Sequence, residues 1–534
     1  MAAMGFYGLG VQPLTKHLSS HVDKATCKQS WYADDSTAVG KLIEIRRWWD
    51  ELTIMGPKYG YHPKPSKTVL IVKDHLLASE AKRIFNGTGI KLSLEGERHL
   101  GAVLGSDNFR ELYVKGKVSK WMKDVEQLSE IAKEEPQAAL SAYTKGLCHR
   151  WTFLQRTVSG IAQLFQPLED IIAHKFIPAV VGKEVSDLQR DILSLPVRYG
   201  GLGIANPMVT ADREYETSKK VTASLTELIK QQDMTLDHYN PKFVKECIAK
   251  LKEEKEIGLK EKATVIMKHL KIVDERMARA LQLAQEKGSG AWLTALPLAS
   301  MGYVLNKQEF RDSIKLRYGW KIADIPSHCI CGGKNDIDHT LICKHGGHVI
   351  FRHNRIRDVN ANFLRQVCHN VVVEPELLPL ESTSVRSDQG NQADKARLDI
   401  SATGLWGPFQ KTLFDVRIFH PYAKSYENKK ISEVYNHHEQ EKRRSYLQRV
   451  LQVEKASFTP LVYSTNGGMA NEASRFHKKL AHMVANKTRE SYSDVINCMR
   501  TKLAFSMLRS VLISVRGSCG RKNRTHETLL LYLS

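Results

Sequence analysis

The stretch ARLDISATGLWGPFQKTLFDVRI, residues 396–418, contains two short apolar segments with glycines between them. This pattern predicts two neighbouring strands joined by a turn. Asp399 belongs to the first strand and Asp415 to the second, sixteen residues later. Because adjacent antiparallel strands hold side chains opposite one another, we expect Asp399 and Asp415 to share one divalent cation. An unpaired aspartate fits a buried sheet poorly, which favours this interpretation.

The sequence on both sides of this stretch predicts an α/β domain. From residue 352 onward the apolar periodicity changes in the order helix, strand, strand, strand, helix, strand, helix. The fourth strand is expected at residues 457–463. On the third strand, Arg417 follows Asp415 by two residues, so we expect their side chains to share a face of the sheet.

A group of cysteine and histidine residues precedes this domain. Cys329, Cys331, His339 and Cys343 follow the pattern C-x-C-x7-H-x3-C. Three thiolates and one imidazole are typical of a closed, tetrahedral Zn²⁺ site with a structural role. The four residues could also be unrelated, and other nearby histidines could supply the fourth ligand. These histidines are His328, His345 and His348.

This cluster, the box formed by Arg352, His353 and Asn354, and the order of elements after it resemble the C-terminal endonuclease of certain site-specific non-LTR retrotransposons. That enzyme has a restriction-like PD-(D/E)XK fold, and the resemblance covers about residues 329–492. It implies a site for Mg²⁺ or Mn²⁺, and nucleic-acid contacts by the three residues of the box. The carboxylates that it assigns to the metal site are Asp399, Asp415 and, as an additional one, Glu374.

Two positions depart from the pattern of the nuclease family. Leu398 stands where the family has proline, and Arg417 stands where it has lysine. A guanidinium stays charged, so Arg417 can stabilise a phosphate but cannot accept a proton from water. In the retrotransposon enzymes a lysine of the next helix does this work, and the resemblance assigns that role to Lys442, with Tyr446 contacting the scissile phosphate. Glu439 lies on the same helix face as Lys442 and Tyr446. The alternative is that these three residues form a solvated face without chemistry.

The sequence YADD, residues 32–35, lies between two apolar stretches at a predicted hairpin turn. Adjacent carboxylates repel each other unless a cation lies between them, and phosphoryl-transfer enzymes use such pairs to hold Mg²⁺. The alternative is an Asp-Asp turn without chemistry. With the lysine-rich segment that ends at Lys67 and with Leu100-Gly101, the box resembles the later palm motifs of non-LTR reverse transcriptases. The resemblance implies metal binding by Asp34 and Asp35, nucleotide contact by Lys67 and a primer grip at Leu100-Gly101.

The likeness to a polymerase is incomplete. Only 33 residues precede Asp34, whereas the family places a third carboxylate and a fingers domain before this point. We therefore expect that the chain begins inside a polymerase and does not synthesise DNA by itself. A nucleoside triphosphate is expected as a ligand only if the missing half is supplied.

The middle of the sequence is predicted to be mostly helical, as a thumb followed by a connector. Residues 146–156 are basic with interleaved aromatics, which is typical of a track for a nucleic-acid backbone and makes Arg150 and Arg156 candidate contacts. The alternative is a core helix that buries Trp151 and Phe153. The predicted segments are a palm-like 1–115, a thumb 116–235, a connector 236–325, a zinc knuckle 326–349, an endonuclease-like 350–495, and a basic C-terminal helix and tail 496–534.

Composition fits this α+β multidomain organisation. The 534 residues include 79 Lys+Arg against 58 Asp+Glu, and the net charge of +21 favours a polyanionic partner such as DNA or RNA. No apolar run is long enough for a membrane span, and the N-terminus lacks the features of a secretion signal. Nine cysteines are too few for a disulfide scaffold.

The sequence therefore predicts a retroelement-derived, metal-dependent endonuclease that nicks DNA and carries an incomplete RNA-directed DNA polymerase domain. The resemblance implies an element RNA template as a partner, and a nuclear location with a cytoplasmic pool as a further expectation. Two alternatives remain open. The chain could be a nucleic-acid-binding relic without turnover, or a polymerase that is competent only with its missing half.

Overall fold

The computed structural model describes residues 2–232, 240–379 and 396–516. Within these residues the chain forms two compact units, each built from three separate stretches. Unit 1 comprises the described residues within 1–127, 145–172 and 206–258, and unit 2 comprises the described residues within 128–144, 173–205 and 259–534. Both units mix helices with small sheets, which confirms the expected α+β class. The six-segment division remains a prediction.

Helices make up most of the described chain, and most of the strands are short. The α-helices are α1 (Ala2–His21), α2 (Leu42–Met55), α3 (Ala78–Ile84), α4 (Asp107–Glu134), α5 (Pro136–Lys145), α6 (Thr152–Thr157), α7 (Gln166–Ile171), α8 (Ile177–Val181), α9 (Asp187–Ser194), α10 (Pro207–Gln231), α11 (Pro241–Val273), α12 (Glu275–Ala284), α13 (Ala291–Thr294), α14 (Lys307–Tyr318), α15 (Ile337–Ile342), α16 (His348–Arg365), α17 (Ile431–Gln452), α18 (Asn471–Thr488) and α19 (Tyr492–Arg516). The strands are β1 (Cys27–Tyr32), β2 (Asp35–Gly40), β3 (Val69–Ile71), β4 (Lys91–Ser93), β5 (Gly96–His99), β6 (Ala102–Gly105), β7 (His369–Val373), β8 (Ile400–Thr403), β9 (Lys411–Phe419) and β10 (Ser457–Ser464).

Unit 1 begins with two helices that pack against each other around a hairpin. β1 and β2 pair antiparallel, and the tight turn joins Tyr32 to its partner Asp35. Ala33 adopts φ +54° in this turn. Leu14 and Leu18 of α1 pack with Trp49 of α2, and all three side chains are buried. The hairpin predicted around the aspartate pair is confirmed. The helical spacing of residues 41–55 predicts a helix, which α2 confirms.

The helical middle of the chain agrees with its prediction apart from one boundary and the length of one helix. α9 is followed by an irregular loop, as the glycines after residue 195 predict. The proline at position 167 predicts a break in the helices at residues 167–169. The break lies earlier in the chain, because Pro167 occupies the first turn of α7, where its missing N–H costs nothing. The stretch of residues 243–286, rich in Lys, Glu, Ala and Leu, predicts a pair of long helices. Two helices are present, but only α11, with 33 residues, is long, since α12 has 10.

Unit 2 contains a four-stranded sheet in the order β10-β9-β8-β7. β10 runs parallel to β9, and the other neighbouring strands are antiparallel. The element order from α16 to α18 is the predicted helix, strand, strand, strand, helix, strand, helix. Phe414 packs against Phe476 of α18 on one face of the sheet, with ring centres 5.3 Å apart, while Leu413 packs with Val450 of α17 on the other. This alternation along β9 directs Asp415 towards α17.

Two further observations bear on the ends and surface of the chain. None of the described helices combines the length and apolar character that a membrane crossing requires. α19 ends at Arg516, whose guanidinium pairs with the buried carboxylate of Asp312. The rest of the predicted basic tail, residues 517–534, lies outside the described residues.

Candidate functional site

Asp399 directly precedes β8 and lies against the part of β9 that carries Asp415. The ladder between β8 and β9 ends where Ile400 pairs with Phe414. The Asp399 N–H donates to the Phe414 carbonyl at 3.2 Å. The N–H of Val416 donates to Asp399 Oδ2 at 2.6 Å. These main-chain hydrogen bonds hold the Asp399 carboxylate at β9, beside the Asp415 position.

Asp415 is a buried acid with an amine beside it. The residue is 6 % exposed, and its Oδ2 lies 2.7 Å from Lys442 Nζ. Burial raises the pKa of Asp415 to about 6, since the ammonium of Lys442 offsets only part of the cost and the charge of Asp399 adds to it. A carboxyl group with this pKa can exchange its proton or its ammonium partner for a metal cation near neutral pH.

Lys442 reaches Asp415 from the middle of α17. Burial lowers its pKa, but the attraction of Asp415 outweighs this effect and the pKa is raised overall. Lys442 is therefore an ammonium at neutral pH. Tyr446, one turn further along the helix, has its ring centre 5.7 Å from Lys442 Nζ and 6.0 Å from the ring of Phe458. The lysine and tyrosine that the sequence analysis selected are thus neighbours in the structure.

Glu439, the third residue of that helix face, has a different role. It is buried, and its Oε1 accepts a hydrogen bond from the N–H of Glu472 at 2.9 Å, in the first turn of α18. It therefore satisfies one of the free N–H groups at the start of that helix. The alternative of a solvated face is wrong at this position, because Glu439 is buried and joins two helices.

Arg417 is exposed on β9, two residues after Asp415. Its charge acts on the neighbouring helix α17. Burial raises the pKa of Glu441, but the hydrogen bond with His438 and the positive charge of Arg417 lower it overall. The guanidinium is therefore on the α17 side of the sheet, as the strand alternation predicts.

Two residues of the box on α16 contact different parts of unit 2. His353 Nε2 lies 3.3 Å from Asp399 Oδ2 and 3.0 Å from the carbonyl of Val416. Burial lowers the pKa of His353, but the interactions with Asp399 raise it overall. Arg352, in contrast, is 2 % exposed and donates to the carbonyl of Leu341 at 2.9 Å. This placement argues against a nucleic-acid contact by Arg352, because its side chain supports the protein interior.

Glu374 directly follows β7 and has φ +54°. Its N–H donates to the carbonyl of Asp399 at 2.9 Å, and its carboxylate pairs with Arg357. Arg357 also donates to Asn354 Oδ1 at 3.3 Å. Sequence reasoning gave Arg357 no role. Its position four residues after His353 on α16 is the signal that could have found it, since such residues share a helix face.

The Cys-His cluster is assembled as the sequence predicts. Ligand atoms of Cys329, Cys331, His339 and Cys343 all lie within 4.8 Å of one another. The Cys329 and Cys343 sulfurs are 3.7 Å apart, and Cys331 Sγ is 3.3 Å from His339 Nε2. Hydrogen bonding from the main chain at Gly333 lowers the pKa of the Cys331 thiol. These four residues can hold a zinc ion, and His339 is the histidine of the group.

A network of hydrogen bonds ties this cluster to the rest of unit 2. Asp338, next to His339 on α15, accepts two hydrogen bonds from Arg276 at 2.8 and 3.0 Å. It also lies 2.9 Å from Nε2 of His420, which follows β9. Burial raises the pKa of Asp338, but the hydrogen bonds with His420 and Arg276 bring it down to about 2. The knuckle is thereby fixed beside the strand that carries Asp415.

The aspartates of unit 1 stand in a contrasting environment. Asp34 and Asp35 are both exposed at the β1–β2 turn. The Tyr61 hydroxyl donates to the carbonyl of Asp34 at 3.1 Å. Among the described residues, no three-ligand group of Asp, Glu, His or Cys contains this pair. Lys67 is exposed at the end of a short 3₁₀ turn.

The Leu-Gly pair assigned to a primer grip lies in the β5–β6 turn. Leu100 and Gly101 have φ +47° and +83°. A side chain at Gly101 would meet the ring of Phe153 at 3.2 Å, so glycine permits this close approach. Phe153 itself is half exposed.

The two candidate arginines of the middle segment are on the surface and are ion-paired. Arg150 lies 2.7 Å from Asp124, and Arg156 lies 3.0 Å from Glu214. Trp151, between them, is buried. The core interpretation therefore holds for Trp151, while the arginines are accessible to an external anion.

Comparison with known proteins adds no assignment to this geometry. No protein family matches the sequence, and no curated protein matches it either. The residues themselves therefore carry the argument for function.

Proposed function

We propose that unit 2 is a divalent-metal-dependent endonuclease that nicks DNA. The observation that carries the proposal is the group of Asp399, Asp415 and Lys442: the Asp399 carboxylate accepts a hydrogen bond from the N–H of Val416, next to Asp415, and an amine lies 2.7 Å from the buried Asp415 carboxylate. Perturbed acids beside a defined charge partner are common at catalytic sites. The likeness to restriction-like nucleases rests on this group and on the element order around it.

The donor set suits a magnesium or manganese ion. Such ions take one or two carboxylates from a protein and complete their shell with water and substrate phosphate. Within the described residues, the ion pair with Lys442 is the one polar contact of the buried Asp415 Oδ2. No third Asp, Glu, His or Cys atom of the described chain forms a three-ligand group with Asp399 and Asp415. With two carboxylates from the protein, the ion would take its other ligands from water and from a phosphate of the DNA.

The roles of the side chains follow from their charges. A cation held by Asp399 and Asp415 would lower the pKa of a bound water and neutralise phosphate charge. Lys442 is protonated, so it donates hydrogen bonds and stabilises negative charge rather than accepting a proton from water. Its closeness to Tyr446 supports a common contact of both residues with the phosphate. His353, 3.3 Å from Asp399, orients that carboxylate.

The remaining features support binding of a polyanion. The net charge of +21 attracts DNA and RNA, and Arg150 and Arg156 offer exposed guanidinium groups. The Cys-His cluster, with zinc bound, stabilises a segment too small to fold through its own core. A nuclear location and an element RNA partner belong to the same proposal.

A second candidate is a polymerase that needs its missing half. It rests on the hairpin that presents Asp34 and Asp35 together. The lack of a three-ligand group around this pair among the described residues argues against turnover by the chain alone. If the purified chain extends a primer on a template, the polymerase becomes the preferred function over the endonuclease.

The test is nicking of supercoiled plasmid by the full chain with Mg²⁺. We expect open-circular product with Mg²⁺ or Mn²⁺ and none with EDTA. Retardation of the same DNA in a gel is measured in parallel. Retardation without nicking under either metal would contradict the nuclease and support the binding relic.

A further inference from the structure

A second group of metal-ligating side chains lies in unit 1, outside every motif that the sequence analysis selected. His17 and His21 are four residues apart near the end of α1, and Glu51 projects from α2. Ligand atoms of these three residues all lie within 4.8 Å of one another. Residues four apart on a helix share a face, and two histidines at this spacing form half of many zinc sites.

The atoms are close to the geometry that a metal needs. Glu51 Oε1 lies 2.5 Å from His17 Nε2 and 4.0 Å from His21 Nε2. Two ligand atoms of a tetrahedral zinc ion with bonds of about 2.0–2.1 Å stand ~3.3 Å apart. To reach this separation, the distances from Glu51 Oε1 to His17 Nε2 and to His21 Nε2 each need to change by less than about 1 Å. Side-chain rotation suffices, because His17 and Glu51 are partly exposed and His21 is 45 % exposed.

The hydrogen bonds around His21 select the right tautomer. Its Nδ1 lies 2.8 Å from the carbonyl of His17. A carbonyl can only accept, so Nδ1 carries the proton and Nε2 presents its lone pair towards Glu51. Histidines that bind metals are commonly oriented by such a bond to a backbone carbonyl.

The scaffold of these ligands is rigid and electrostatically favourable to a cation. The buried contacts of Leu14 and Leu18 with Trp49 fix α1 against α2. His21 is the last residue of α1, and the free carbonyl groups at a helix C-terminus favour positive charge. The three ligands come from both helices that flank the hairpin carrying Asp34 and Asp35.

We propose that His17, His21 and Glu51 form a second Zn²⁺ site, which clamps α1 to α2. Three protein ligands leave one position for water or an added anion, unlike the closed Cys-His cluster. The site is independent of the proposed nuclease, because it lies in unit 1 and shares no residue with that function.

The experiment measures zinc bound to the untagged full chain, by equilibrium dialysis at micromolar free Zn²⁺ and elemental analysis. We expect two equivalents for the wild type. His21→Ala and Glu51→Gln should each weaken the second equivalent at least tenfold. His62→Ala, which removes an exposed histidine of the same unit, should keep both equivalents. Circular dichroism confirms that each variant is folded.

Cobalt distinguishes the two sites. Co²⁺ at the Cys-His cluster has a thiolate charge-transfer band, whereas the second equivalent should add visible absorbance without increasing that band. If the wild type binds only one equivalent of Co²⁺, and that equivalent has the thiolate band, the proposal is overturned. Equal uptake by wild type and His21→Ala would also overturn it.

Discussion

The two aspartate pairs of this protein differ in almost every physical respect. Asp34 and Asp35 are neighbours in sequence, and both are exposed at the tip of a hairpin. Asp399 and Asp415 are sixteen residues apart, and the fold brings the Asp399 carboxylate to the N–H of Val416, next to Asp415. Burial raises the pKa of Asp415 to about 6, and Lys442 lies against it. Adjacency in sequence is thus a weaker sign of chemistry than burial beside a charge partner.

The largest effect is expected from Asp415→Asn. The amide keeps the shape of the side chain but removes the charge that holds a cation, so nicking should fall roughly a thousandfold. DNA retardation should be unchanged. Plasmid nicking under Mg²⁺ measures the loss, and Glu427→Gln, at an exposed position of the same unit, is the matched control. Full nicking by Asp415→Asn would remove Asp415 from the site.

Lys442→Met should lower nicking roughly a hundredfold. It also leaves the buried Asp415 without its ion partner, which destabilises the fold at neutral pH. In urea unfolding, the variant that combines Asp415→Asn with Lys442→Met should have a higher free energy of unfolding than Lys442→Met alone. Lys478→Met, on an exposed part of α18, is the control. Additive effects of the two substitutions on the free energy of unfolding would contradict a direct pair.

The pKa of Asp415 predicts how activity and stability depend on pH. Nicking requires the carboxylate, so it should fall about tenfold per pH unit as pH drops below about 6. The folded pKa is raised above the unfolded value of about 3.9, so this group stabilises the fold at low pH. That stabilisation is lost as pH rises from about 4 through about 6.

Urea unfolding across this pH range checks the sign. The free energy of unfolding of the wild type, relative to Asp415→Asn, should decrease as pH rises. A relative increase would mean that the pKa of Asp415 is lowered rather than raised.

The smallest effect is expected at the hairpin. Replacing Asp34 and Asp35 together by asparagine should change nicking by less than about twofold, because both side chains are exposed. The plasmid assay measures this as well. A loss comparable to that of Asp415→Asn would mean that the hairpin belongs to the nuclease reaction, and the contrast between the pairs would fail.

Much of the local structure was predictable from sequence because it depends on periodicity and turn residues. The hairpin at residues 32–35 and the order of elements from α16 to α18 are examples. The predicted pair of strands places Asp399 beside β9, although β8 itself begins one residue after Asp399. What sequence could not give depends on tertiary contacts. Arg352 turned out to be buried under the knuckle, and Glu439 joins α17 to α18.

The group of His17, His21 and Glu51 shows the same limit. The two histidines have a recognisable spacing, but their carboxylate partner lies thirty residues beyond His21 and is brought close only by the packing of α1 on α2. The sequence pattern alone does not indicate that Glu51 lies beside the two histidines. For Arg357, the sequence predicts the helix face that it shares with His353. Its ion pair with Glu374 depends on the tertiary structure and was not predictable.

The most direct measurement is the anomalous scattering of manganese in crystals of the full chain soaked with Mn²⁺. We expect a peak within coordination distance of a carboxylate oxygen of both Asp399 and Asp415, with the Lys442 ammonium displaced from Asp415. A peak that touches only one of the two aspartates, or manganese bound only at the exposed hairpin, would contradict the shared metal site.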